Sequence, residues 1–119
     1  MAVILLVEDN HEMLQALTDA LKLNKHRVIP ARSGEVALHV LNTMSAPPDL
    51  IITDFRMPDM NGIELMREIR NHPLWSNIPI ALMSGQTDLE TIDNPHANEF
   101  IPKPFKVQQL EDTVAQLVV

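Results

Sequence analysis

The chain has 119 residues, enough for one domain with a substantial core. Apolar residues make up 45% and cysteine is absent, which sets aside a disordered chain, disulfides, thiolate catalysis and cysteine-ligated zinc. A formal net charge of −7 argues against a nucleic-acid surface, which would be basic.

The first apolar run, Val3–Val7, has no basic segment before it and is far too short to span a bilayer. The expectation is a cytoplasmic protein without membrane contact. The run ends in Glu8-Asp9. Asn10 can then cap a helix whose apolar stripe is Met13, Leu14, Leu17 and Leu21, and Asn24 can take the left-handed turn after it. A weaker strand at residues 26–31 contains Pro30. Ser33 can cap a second helix with Val36, Ala37, Val40 and Leu41 on one stripe.

The third strand, residues 50–53, ends directly in Asp54. Asn61 and Glu64 then have capping-box spacing, ahead of a stripe of Ile63, Leu65, Met66 and Ile69. Residues 78–83 read as a fourth strand, followed by Ser84-Gly85. Thr87 and Glu90 repeat the capping-box spacing, but the segment they open, 87–93, is brief and stops at Asn94-Pro95. Residues 99–102 read as the last strand, Lys103-Pro104 follows it, and Leu110, Val114, Leu117 and Val118 form a final stripe.

Alternating strands and helices predict an α/β doubly wound parallel sheet, and continuous apolar runs suit strands covered on both faces. Proline removes a ladder donor, so the strands with Pro30 and Pro102 belong at the edges. Order 2-1-3-4-5 meets that condition, and ligands in such sheets bind beyond the carboxyl ends of the strands where the winding reverses. Glu8, Asp9 and Asp54 would converge there. Three carboxylates and one lysine, each at a strand end, have the composition of a divalent-metal and phosphoryl site. Met57, Met60, Met66 and Met83 read as loop cover and core, and the histidines as surface or packing residues.

Four signatures in order resemble the receiver domains of two-component response regulators. They are Leu6-Val7-Glu8-Asp9, Asp54 with Met57-Pro58-Asp59-Met60-Asn61-Gly62, Met83-Ser84-Gly85, and Lys103-Pro104-Phe105. The resemblance spans residues 1–119 and implies a single receiver domain with a flavodoxin-like five-stranded sheet and helices on both faces. It implies a phosphorelay function. Asp54 would accept a phosphoryl group from a phosphohistidine of a sensor histidine kinase or histidine phosphotransfer protein, in a reaction needing Mg²⁺, with Mn²⁺ as an alternative. Asp9 and Asp54 would be direct ligands, the backbone carbonyl of Arg56 would complete them, and Glu8 would act through water. Lys103 would contact the acyl-phosphate and Ser84 a phosphoryl oxygen. Ser84 and Phe100 would form the conformational switch, and Lys103-Pro104 a cis peptide.

The implied chemistry is that of a signalling phosphoacceptor, limited to its own phosphorylation and slow dephosphorylation. The output domain or partner is not identified by these residues. Glu8 replaces the commoner aspartate and keeps the charge. The stretch from Ser84 to Lys103 is shorter than the family pattern by roughly one helical turn. That puts the fourth-helix part of the family's usual output face in question. Other classes fit less well. A flavin binder of the same sheet order needs a first loop that cradles phosphate, which Glu8-Asp9 would repel. A dehalogenase-like phosphatase carries a second aspartate where Arg56 stands. A silent pseudo-receiver would not need the acidic residues and Lys103. With no effector domain read before Val119, the expectation is either a stand-alone regulator or a receiver taken from a longer protein.

Overall fold

The computed structural model describes residues 2–85 and 97–118. Five strands, β1 (Val3–Val7), β2 (Arg27–Ala31), β3 (Leu50–Asp54), β4 (Ile80–Gly85) and β5 (Glu99–Lys103), pair in parallel in the order β2-β1-β3-β4-β5. Among the described residues the helices are α1 (His11–Leu23), α2 (Gly34–Thr43), α3 (Gly62–Asn71) and α4 (Val107–Leu117). The capping pair Thr87 and Glu90 and the short segment at 87–93 lie outside the described residues.

The continuous apolar runs become the central strands because both of their faces are covered. Leu6, Ile52 and Met83 pack under Leu14, Leu17 and Leu21 of α1 and Leu110 and Val114 of α4. Leu5, Ile51 and Leu82 pack on the other side under Ala37 and Leu41 of α2 and Leu65, Met66 and Ile69 of α3. Pro30 and Pro102 both lie on edge strands and are exposed, as their missing N–H groups require.

Apart from strand ends that shift by one residue, three local expectations differ from the structure. Asn24 has φ −90°, and the left-handed residue is Lys25, at φ 67°. The Lys25 N–H bonds the Lys22 carbonyl and the His26 N–H bonds the Leu21 carbonyl, a Schellman closure that moves the reversal one residue onward. Val36 is 44% exposed, so the buried stripe of α2 narrows to Ala37 and Leu41. β4 begins at Ile80 rather than at residue 78. Ile78 stays buried, but its N–H closes a turn onto the Trp75 carbonyl instead of joining the ladder.

Candidate functional site

Strand register assembles the site. Val7 pairs with Thr53 across β1 and β3, so Glu8 and Asp54 are the next residues of neighbouring strands. Asp54 pairs with Met83, which sets Ser84 one step beyond it. Gly85 pairs with Lys103 on the edge strand. Carboxylate oxygens of Glu8, Asp9 and Asp54 all lie within 4.8 Å of one another, an arrangement able to hold a metal ion. The cluster opens on a cleft of about 410 Å³ lined by Asp9, Phe55, Arg56, Met57, Pro58 and Asn61.

Lys103 closes the buried side. Its Nζ lies 2.8 Å from Asp54 Oδ1 and 3.3 Å from Glu8 Oε1. Glu8 is 1% exposed and Asp54 6%, so water does little to screen either charge. Burial pushes the Glu8 carboxyl up to about 7. The Asn10 N–H bond to Oε2 opposes the rise, Asp54 adds to it, and Lys103 lowers it. Burial alone would depress the Lys103 ammonium, yet its hydrogen bonds and charge contacts with Asp54 and Glu8 win and raise it. One lysine thus neutralises only part of a three-carboxylate cluster, the condition under which a divalent cation is welcome.

The two Asp54 oxygens are unequal. Oδ1 accepts both Lys103 and the Phe55 N–H, the latter at 3.0 Å, whereas Oδ2 has no hydrogen bond among the described residues. Ser84 is 1% exposed and its Oγ has no hydrogen-bond partner among the described residues. A buried hydroxyl without a partner is costly unless a ligand supplies one. Phe100 stands opposite Leu82, two places before the Ser84–Pro102 pair, and is half-buried against the apolar cluster beneath α3. The Lys103-Pro104 peptide is cis. Asn10 caps α1 through the Met13 N–H, so capping falls to Asn10 and leaves the Asp9 carboxylate for the cluster.

Residues 55–61 form the loop over the acceptor. The Gly62 N–H bonds the Phe55 carbonyl at 2.8 Å, and Asn61 and Glu64 complete the expected capping box of α3. A Cβ on Gly62 would lie 2.7 Å from the Asp54 carbonyl oxygen and 3.1 Å from Phe55 Cα, so only glycine allows α3 to start this close to β3. Sequence reasoning placed Gly62 in a signature but gave it no role. Asp59 stood in the same signature, also without a role, and its carboxylate accepts the N–H groups of Gly34 and Glu35 at 3.3 and 2.8 Å. Those contacts join positions 24 and 25 residues apart and leave no local periodicity to read.

The comparisons agree with this geometry. The family model for the response regulator receiver domain matches residues 4–115. The chain is 33% identical over 118 residues to the sensor histidine kinase TmoS of Ectopseudomonas mendocina, covering 97% of this chain but only 12% of that protein. It is 30% identical over 113 residues to the transcriptional regulatory protein KdpE of Mycobacterium tuberculosis, covering 92% of this chain and 47% of the relative. The chain therefore spans less than half the length of these relatives. Among solved structures, a response regulator receiver domain protein from Clostridium thermocellum superposes with a TM-score of 0.90 at 25% identity, over 99% of this chain and 94% of the other. With the sheet order, the strand-end carboxylates and the family match in agreement, the chain belongs to the response regulator receiver domains, the phosphorelay modules of two-component signalling.

Proposed function

We propose that Asp54 is the phosphoacceptor and that the domain takes its phosphoryl group from a phosphohistidine on a histidine kinase or phosphotransfer protein. The observation that carries the reading is the asymmetry of Asp54. One oxygen is tied to Lys103 and the Phe55 amide, and the other is without a hydrogen bond among the described residues. In the transfer, that oxygen forms a bond to phosphorus while the phosphorus–nitrogen bond breaks, and the imidazole keeps the electron pair. Lys103 holds Asp54 in place beforehand and supplies positive charge to the acyl-phosphate afterwards. The Ser84 hydroxyl gains its missing partner in a phosphoryl oxygen.

The donor set fits Mg²⁺ or Mn²⁺: Asp9 and Asp54 as direct ligands, the Arg56 carbonyl beside them, and Glu8 through water. Such an ion, when bound, neutralises charge on the phosphoryl oxygens. The acidic cluster needs this help, because Glu8, Asp9 and Asp54 would otherwise repel an incoming phosphate. Ser84 and Phe100, on neighbouring strands, would carry the change toward an output partner. Incubation with acetyl phosphate and Mg²⁺, followed by mapping of the modified residue, should place the phosphoryl group on Asp54. Undiminished labelling of Asp54→Asn overturns the reading.

A further inference from the structure

We infer that Asp59 is a positioning residue for this site: by bonding the first amide groups of α2, it holds the acceptor loop, residues 55–61, in the geometry that metal and phosphoryl binding require. The inference rests on the phosphoacceptor reading above and concerns a residue to which that reading gives no part.

Asp59 does not line the cleft and does not belong to the carboxylate cluster. Its side chain points the other way, with Oδ1 on the Gly34 N–H and Oδ2 on the Glu35 N–H. The positive end of the α2 dipole and two donors favour the ionised carboxylate there. Burial pushes its acid up, but the backbone N–H groups of Glu35, Met60, Gly34 and Asp59 itself outweigh it and hold it below the ordinary range. α2 already has a cap of its own, since Ser33 Oγ accepts the Val36 N–H at 3.1 Å. The contact therefore serves the loop as much as the helix.

A second contact meets the same point. A Cβ on Gly34 would fall 2.3 Å from Met60 Cγ and 2.6 Å from Met60 Sδ. Asp59 and Met60 thus both rest on the first residue of α2, and its lack of a side chain makes room for the Met60 side chain. The base of the loop is closed separately, by the Gly62 to Phe55 bond. Between base and tether lie Arg56, Met57 and Pro58, which form the cleft wall facing Asp9. A loop pinned at both ends presents the Arg56 carbonyl at a constant distance from Asp9 and Asp54. One pinned only at its base would have to be ordered by the ligand.

The test compares Asp59→Ala, Asp59→Asn and Ser33→Ala with wild type. Ser33→Ala removes a cap from the same helix without touching the loop, so it reports what loss of α2 capping does by itself. Two quantities are read: amide exchange of residues 55–61 in metal-free protein, and Mn²⁺ affinity by calorimetry. Asp59→Ala should accelerate loop exchange and weaken Mn²⁺ binding about tenfold, the usual effect of losing an outer-shell support. Asp59→Asn, which keeps one acceptor oxygen, should fall between. Ser33→Ala should lower the melting temperature and leave both readouts at wild-type values. Should Asp59→Ala not fold, Gly34→Ala displaces Met60 from the helix side and should move both readouts the same way. The inference is overturned if Ser33→Ala reproduces the Asp59→Ala changes, or if the Asp59 variants match wild type in both. A wild-type protein that takes up no Mn²⁺ would instead count against the phosphoacceptor reading, and loop exchange alone would then decide the role of Asp59.

Discussion

A carboxyl group that is 1% exposed and rests against one lysine ties stability to pH. Glu8 ionises near 4.5 in the unfolded chain and near 7 in the fold, with burial as the leading cause. Between those values the folded state binds the extra proton, so the contribution of Glu8 to stability is full below pH 4.5 and is lost as pH rises through 7. The loss amounts to roughly 3 kcal/mol at about 1.4 kcal/mol per tenfold. Denaturant midpoints measured in chelator from pH 5 to 7.5 should fall in wild type and change much less in Glu8→Gln. An equal slope in both proteins would show that Glu8 is not the group responsible. Lys25 offers a second residue-scale check. Its φ of 67° strains a side chain that glycine would lack. Lys25→Gly should stabilise the fold by about 0.5–1 kcal/mol in chemical unfolding, and destabilisation would refute the strain. The left-handed position was expected one residue earlier, at Asn24. The competition between two adjacent residues is settled by which amide closes on the Leu21 and Lys22 carbonyls, and composition does not reveal that.

At the scale of elements, the amino ends of β4 and β5 are joined by a polar clamp far from the carboxylates. Asn98 Oδ1 accepts the Ile80 N–H and an Arg70 Nη2 donor, both at 2.9 Å, while the Asn98 N–H bonds the Ile80 carbonyl at 2.8 Å. Arg70 Nη1 also reaches the Ser76 and Ile78 carbonyls, at 3.1 and 2.7 Å. One guanidinium thus ties the end of α3 to the turn before β4 and to the edge strand. Lysine cannot reproduce that fork, so Arg70→Lys should cost about 1–3 kcal/mol. Asn98→Ala should cost a similar amount, and the double variant less than the sum, because the two share a bond. Additive losses would mean that the clamp is not a unit. Strand existence, the edge places of β2 and β5 and the strand-end carboxylates were legible because they rest on local signals: continuous apolar runs, edge prolines, and charges at the ends of those runs, while the order of the three central strands came with the family resemblance. The clamp and the Asp59 tether were not, because Arg70 and Asn98 lie 28 positions apart and meet only after the sheet has formed.

For the whole molecule, the sheet separates two kinds of chemistry. Its two apolar faces hold the fold, and its carboxyl end gathers charge that the fold must tolerate. With a net charge of −7 overall, the metal-free domain carries concentrated repulsion at that end. A ligand that binds only the folded state adds stability by mass action, about 2.7 kcal/mol at one hundred times its Kd. For a domain of this length that corresponds to a melting-temperature rise on the order of 10 °C. Mg²⁺ should therefore raise the wild-type transition by that amount, and 1 M NaCl without Mg²⁺ should raise it far less, because screening relieves repulsion but coordinates nothing. Asp9→Asn removes a proposed ligand and one charge together, so it should melt no lower than wild type in chelator and show little response to Mg²⁺. Equal responses to Mg²⁺ in wild type and Asp9→Asn would place the ion elsewhere on the acidic surface. Equal rises with Mg²⁺ and with NaCl in wild type would reduce the carboxyl-end cluster to a site of general charge repulsion.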